Sequence, residues 1–184
     1  QPPSAKISDF DCQNLVKVYR QLNHQVIDLW AAADRALEDI AIWGEGKAPY
    51  YLGNHNVLKV TKEGIQLPNS LYLRYPELEK DVSGTRSEFV YKSRRGKVGI
   101  WGGSVVENVV QALARIVIGE QMIEINKKYR PVLTVHDAIV CIAPKEKSQE
   151  ALDFMMKEMS QPPKWGETLP IACEGGFGET YGDC

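Results

Sequence analysis

The stretch Val132-Leu133-Thr134-Val135-His136-Asp137-Ala138-Ile139-Val140-Cys141-Ile142-Ala143 restricts the fold more than any other part of the chain. Two apolar runs flank one polar pair, His136-Asp137. Short aliphatic and β-branched runs bounded by a turn signal read as strands, so a hairpin is expected with strands over 132–135 and 139–143 and the polar pair at its tip. Apolar strands without alternation are usually covered on both faces, which places this hairpin in a buried sheet.

Ahead of the hairpin, Val105, Val106, Val109, Val110, Leu113, Ile116, Val117 and Met122 predict a helix from 104 to about 128 that is apolar on nearly every side. At the start of the chain Ser8 and Asp11 form a capping-box pattern. Phe10, Leu15, Val18, Leu22, Val26, Leu29 and Trp30 follow at helical spacing, predicting a long helix, continuous or broken, to about 43. Gly44 and Gly46 end it, and runs at 57–60, 65–67, 71–75, 89–91 and 97–100 read as strands of a small antiparallel section. A helix near 146–160 and a last strand near 169–173 complete the expectation. The class is α+β, with an antiparallel sheet flanked by long helices.

The 184 residues carry 22 Lys+Arg against 24 Asp+Glu, with 43% hydrophobic and 25% charged residues. That balance excludes a disordered, collagen-like or mucin-like chain. No apolar run approaches the roughly 18 residues of a membrane-spanning helix, and no charged-then-apolar leader opens the sequence. The expectation is a soluble cytoplasmic protein with no membrane partner. Cys12, Cys141, Cys173 and Cys184 are scattered with no C-x-x-C pair, as in reduced thiols without a structural zinc site. The chain begins Gln1-Pro2-Pro3 and its first Met is Met122, which suggests a piece of a longer protein.

The chemistry centres on the hairpin tip. A carboxylate beside an imidazole suits a hard cation such as magnesium, and the imidazole can give a proton or a hydrogen bond to a phosphate. The alternative is a turn in which Asp137 simply fits and His136 caps it. On the preceding helix Glu107, Gln111 and Arg115 stand at four-residue spacing, with Asn108 adjacent, making one polar stripe. Such a stripe either contacts a ligand or forms a solvated edge. Between Arg86 and Lys97 five basic residues (Arg86, Lys92, Arg94, Arg95, Lys97) face one acidic residue, Glu88. They read as a phosphate contact or as a solvated hairpin. Asp9 and Asp11 are read as helix-terminus charges.

Taken together, Trp101-Gly102-Gly103-Ser104-Val105-Val106-Glu107-Asn108-Val109-Val110-Gln111-Ala112-Leu113-Ala114-Arg115 and Leu133-Thr134-Val135-His136-Asp137 resemble the C-terminal part of family A (DNA polymerase I-like) DNA polymerases, the phage branch above all. Val18-Tyr19-Arg20-Gln21-Leu22-Asn23 with Leu29-Trp30 is similar to the helix after the fingers. Leu67-Pro68-Asn69-Ser70 resembles an LPSGR-type hairpin, and Leu169-Pro170 with Glu174-Gly175 the closing strand.

The resemblance implies that 1–55 is the helical segment following the fingers and 56–184 the C-terminal palm portion with the motif C hairpin. It implies that Asp137 is a magnesium ligand and catalytic, and that His136 lies near the primer terminus. Gln111 would touch the nascent base pair, with Glu107, Asn108, Arg115, Arg94 and Arg95 meeting nucleic acid. The implied partners are primer–template DNA, dNTPs and the N-terminal palm and fingers, without which the chain is expected to be inactive. Ala138 stands where many members carry Glu, Ser104 where the phage pattern has Lys, Ile116 where an Asp often follows, and Trp101 at a Tyr position. The palm's other catalytic Asp and the nucleotide-binding Lys, Arg and Tyr of the fingers have no counterpart in this sequence. A non-catalytic nucleic-acid-binding module on a palm scaffold is the reading from another class.

Overall fold

A computed structural model describes residues 8–82 and 88–183. The chain is α+β, with four α-helices and antiparallel strands among the described residues. It divides into two compact units, Gln1–Val109 and Val110–Cys184, and the third helix runs from one into the other.

In the first unit α1 (Asp9–Leu22) starts on the expected capping box. The Asp11 N–H donates to Ser8 Oγ at 3.2 Å, and the Asp11 carboxylate reaches back to the Ser8 N–H at 3.4 Å. The helix breaks at Asn23, whose side-chain amide donates to the Tyr19 carbonyl at 2.9 Å. That bond competes with helix continuation. α2 (His24–Ala41) follows and buries Ala33, Ala36 and Leu37, whereas α1 buries none of its residues.

Next come β1 (Tyr50–Leu52), β2 (Leu58–Thr61), β3 (Gly64–Gln66) and β4 (Tyr72–Leu73), an antiparallel meander in the order β1-β2-β3-β4. Val60 and Ile65 are opposite each other in register and fully buried, as is Leu37 of α2. Burying such a side chain contributes about 1.5–3 kcal/mol. The β2–β3 turn requires Gly64: its φ is +129°, and a Cβ there would lie 2.2 Å from the Leu73 carbonyl oxygen. β1 was not apparent in the sequence; Asp39, on α2, fixes its start by accepting from Tyr50 OH at 2.7 Å and from Lys47 Nζ.

β5 (Glu79–Asp81), β6 (Glu88–Ser93) and β7 (Gly96–Ile100) make a second sheet. Cross-strand pairing and the Lys97–Glu79 ion pair hold the charged β5, which has no apolar pattern to announce it.

α3 (Gly102–Ile125) begins two residues earlier than expected and ends three residues sooner. The second unit contains β8 (Pro131–Val135) and β9 (Ala138–Cys141), a 3-10 turn at Lys145–Lys147, and α4 (Ser148–Met159). Its core is Ile125, Tyr129, Ile139 and Ala151, with Met122, Cys141, Phe154 and Met159 packed against them. Gln121 is buried, its amide donating to the carbonyls of Met159 at 2.7 Å and Gln161 at 3.3 Å and so closing the C-terminal end of α4.

Three expectations are corrected. Among the described residues the strands form three separate antiparallel sheets, not one. The β8–β9 hairpin is a two-stranded ribbon rather than part of a buried sheet, and Val132, Leu133 and Val135 remain exposed. An extra residue at Val132 shifts the register, so Thr134 and Ile139 pair while Leu133 and Val135 pair with Val140 and Ala138. Only alternate residues can meet a core that lies on one side. No strand forms over 169–173. Pro170 has no N–H to donate, and local bonds from Leu169 N to Gly166 O and from Ile171 N to Leu169 O use the neighbouring groups.

Candidate functional site

Val135 pairs with Ala138, so His136 and Asp137 are the whole of a two-residue turn. His136 has φ of +54°, the left-handed region that the first position of a tight hairpin demands and that Gly ordinarily fills. Both side chains are exposed, and neither has a hydrogen-bond or ion-pair partner among the described residues. The capping role for His136 is therefore not seen. Asn56, Ser70 and Glu77 share this left-handed backbone elsewhere among the described residues.

Asp137 is among the residues lining an open cleft of about 720 Å³ in the second unit. α3 contributes Val110, Leu113 and Val117, and the segment after α4 contributes Trp165 and 169–174. Trp165 donates from Nε1 to Glu120 at 3.3 Å. The cleft and Trp165 had no signal in the sequence, because 160–168 has neither helical nor strand periodicity and the strand expected at 169–173 does not form.

Among the described residues no group of three or more His, Cys, Asp or Glu side chains is placed to hold a metal ion. Asp137 offers one carboxylate, and Ala138 beside it adds none, so these residues do not fit a magnesium site by themselves.

Gln111 and Arg115 lie exposed on α3 in the second unit. In the first unit Glu107 is exposed, while Asn108 is half-buried and its amide donates to Tyr75 OH at 3.5 Å. Burial pushes the Tyr75 hydroxyl above its ordinary pKa, against the lowering effect of the Asn108 bond. Val110 and Ile123 are exposed too, so α3 is less enclosed than its composition implies.

Arg94 and Arg95 form the tip of the β6–β7 hairpin, where Ser93 pairs with Gly96. Lys92 and Lys97, which flank them, pair with Glu77 at 2.7 Å and Glu79 at 2.5 Å. Neither Arg94 nor Arg95 has an acidic side-chain partner among the described residues. Arg86 lies outside the described residues.

No helix among the described residues is long and apolar enough to cross a membrane. No protein-family profile matches the chain, and no solved structure matches it. A DNA polymerase of Bacillus phage SP02 is 28% identical over 190 residues, covering 95% of this chain and 28% of the polymerase's own length. The chain thus spans little more than a quarter of a phage DNA polymerase to which it is related.

Proposed function

We propose that the chain is the C-terminal palm portion of a family A DNA polymerase, with 1–55 following the fingers and 56–184 carrying the motif C hairpin. Completed by the polymerase's N-terminal palm and fingers, it adds dNTPs to a primer 3′ end as a template directs, in the host-cell cytoplasm if phage-encoded. The observation that carries this reading is the similarity to a phage DNA polymerase over 95% of the chain, which is not confined to one motif.

In this reading Asp137 and His136 act at the primer terminus, projected by a short hairpin with both side chains free for a ligand. Gln111 touches the nascent base pair, and Glu107, Asn108 and Arg115 belong to the duplex-facing helix. Arg94 and Arg95 meet phosphates, which neutralise Arg charge better than water-exposed carboxylates several residues away. Two-metal nucleotidyl transfer needs more carboxylates than Asp137. Magnesium binding therefore depends on the rest of the polymerase in this proposal.

One observation favours a second reading, a non-catalytic nucleic-acid-binding module that keeps a palm scaffold. Ala138 is exposed at the tip and places no second carboxylate beside Asp137.

The separating experiment is primer extension with a labelled primer–template, dNTPs and magnesium, using the chain alone and then with the polypeptide encoded upstream. Extension only in the mixture supports the divided polymerase. No extension when both pieces are folded, associated and bound to DNA supports the module.

A further inference from the structure

Trp101 immediately precedes α3, and its carbonyl accepts the first intrahelical bond, from Val105 N–H at 3.0 Å. Trp101 is 52% exposed. Trp30 of α2 meets it edge to face, with centroids 5.3 Å apart and planes at 72°. The two glycines that follow make this placement possible. A Cβ on Gly103 would fall 2.3–2.7 Å from three atoms of the Trp101 ring, and a Cβ on Gly102 would fall 2.0 Å from the Trp30 carbonyl oxygen. Asp34, also on α2, holds Gly102 by accepting its N–H at 2.5 Å. Gly at the start of a helix costs up to about 1 kcal/mol relative to Ala, so this arrangement is maintained against helix propensity. Its outcome is the reverse of burial: a large aromatic ring flanked by Trp30 and Gly103, on a residue left about half exposed.

The Trp101 indole N–H has no hydrogen-bond partner among the described residues. A rigid exposed ring is a stacking surface for any nucleobase, because every base presents a π-face and little side-chain entropy remains to be lost on contact. The ring heads the helix on which Glu107 stands.

We infer that Trp101 is a stacking platform for an unpaired nucleobase, held in place by Trp30 and by the absence of a side chain at Gly103. The inference rests on the nucleic-acid reading above and adds to it a contact and the kind of base engaged.

The test is fluorescence anisotropy of a fluorescein-labelled oligodeoxythymidine and of a labelled blunt duplex, titrated with the chain and three variants. Trp101→Ala is expected to weaken oligodeoxythymidine binding about tenfold, from the ~1–3 kcal/mol that one stacked base contributes, and to affect the blunt duplex less. Trp101→Phe, which keeps a flat ring, is expected to stay within about threefold of the unaltered chain. Gly103→Ala keeps the tryptophan and favours helix, but its methyl group displaces the ring; it is expected to weaken binding as Trp101→Ala does. This variant decides the matter if Trp101→Ala fails to fold, as judged by circular dichroism. Unchanged oligodeoxythymidine affinity in Trp101→Ala or in folded Gly103→Ala overturns the inference alone. Absence of binding by the unaltered chain to both probes overturns the inference together with the function on which it rests.

Discussion

Asp34 Oδ1 accepts a 2.5 Å hydrogen bond from the backbone N–H of Gly102, tying the first residue of α3 to α2 across 68 positions of sequence. The opening N–H groups of a helix have no partner within it, and a carboxylate there also complements the helix dipole. Asp34→Ala is expected to destabilise the chain by about 1–2 kcal/mol, and Asp34→Asn, which still accepts, by less. Urea denaturation followed by circular dichroism measures both; equal losses would remove the hydrogen bond from the account.

At the β8–β9 turn, stability and activity should separate. Asp137→Ala removes an exposed, unpartnered side chain and should change stability by less than about 0.5 kcal/mol, while abolishing primer extension by the completed polymerase. His136→Gly relieves a left-handed backbone and should raise stability by about 1 kcal/mol while lowering activity. Full activity in Asp137→Ala would end its catalytic assignment.

Gln111→Ala should also leave stability within about 0.5 kcal/mol, since the residue lies exposed on α3. Primer–template affinity of the completed polymerase should fall further than that, by about tenfold if one hydrogen bond to the duplex is lost. Steady-state extension at varied primer–template concentration reads this directly, and an unchanged apparent affinity contradicts the duplex-facing role.

A pH effect follows from Asp39. Hydrogen bonds from Lys47 and Tyr50 hold its carboxyl below the ordinary value of 3.8. A depressed folded-state pKa means that the unfolded chain takes up the proton first. The stabilisation is therefore complete above 3.8 and is lost as pH falls through the lower folded-state value. Denaturation of the unaltered chain and Asp39→Asn should show a stability gap that is constant from about pH 7 to 5 and closes on further acidification. A gap independent of pH down to 3 would mean that Asp39 contributes through packing.

Gln121 supplies the corresponding test in the second unit. Gln121→Leu retains bulk but leaves the Met159 and Gln161 carbonyls without their side-chain donor, at a cost of about 1–3 kcal/mol. Amide exchange near the end of α4 should quicken in that variant; unchanged exchange would show that water replaces the amide without loss.

Local physics made much of this legible in the sequence. The Ser8–Asp11 box, a long helix within 104–128 and the two strands either side of His136-Asp137 follow from neighbouring residues, whereas the position of the break at Asn23 did not show in the helical spacing. What escaped is set by distant partners. β5 is three charged residues made into a strand by β6, and β1 is a short apolar run anchored by Asp39. The Asp34–Gly102 bond leaves no trace at either position. The apolar runs around His136 gave the strands correctly and their surroundings wrongly, because hydrophobicity states a preference for cover without supplying the covering element. At the candidate site the two-residue tip was readable, whereas the role of Gly102 and Gly103 at the start of α3 required the ring of Trp101 to be placed in space.

α1 and α2 look like one helix interrupted at a single residue, but they differ in what keeps each of them helical. α2 is held by three buried side chains, and α1 by none. A 14-residue helix without tertiary support sits near the margin of stability in water. Asn23 therefore marks an energetic boundary: thermal fluctuation can melt residues 9–22 while 24–41 stay formed. A protease would cut within α1 before it cut within α2.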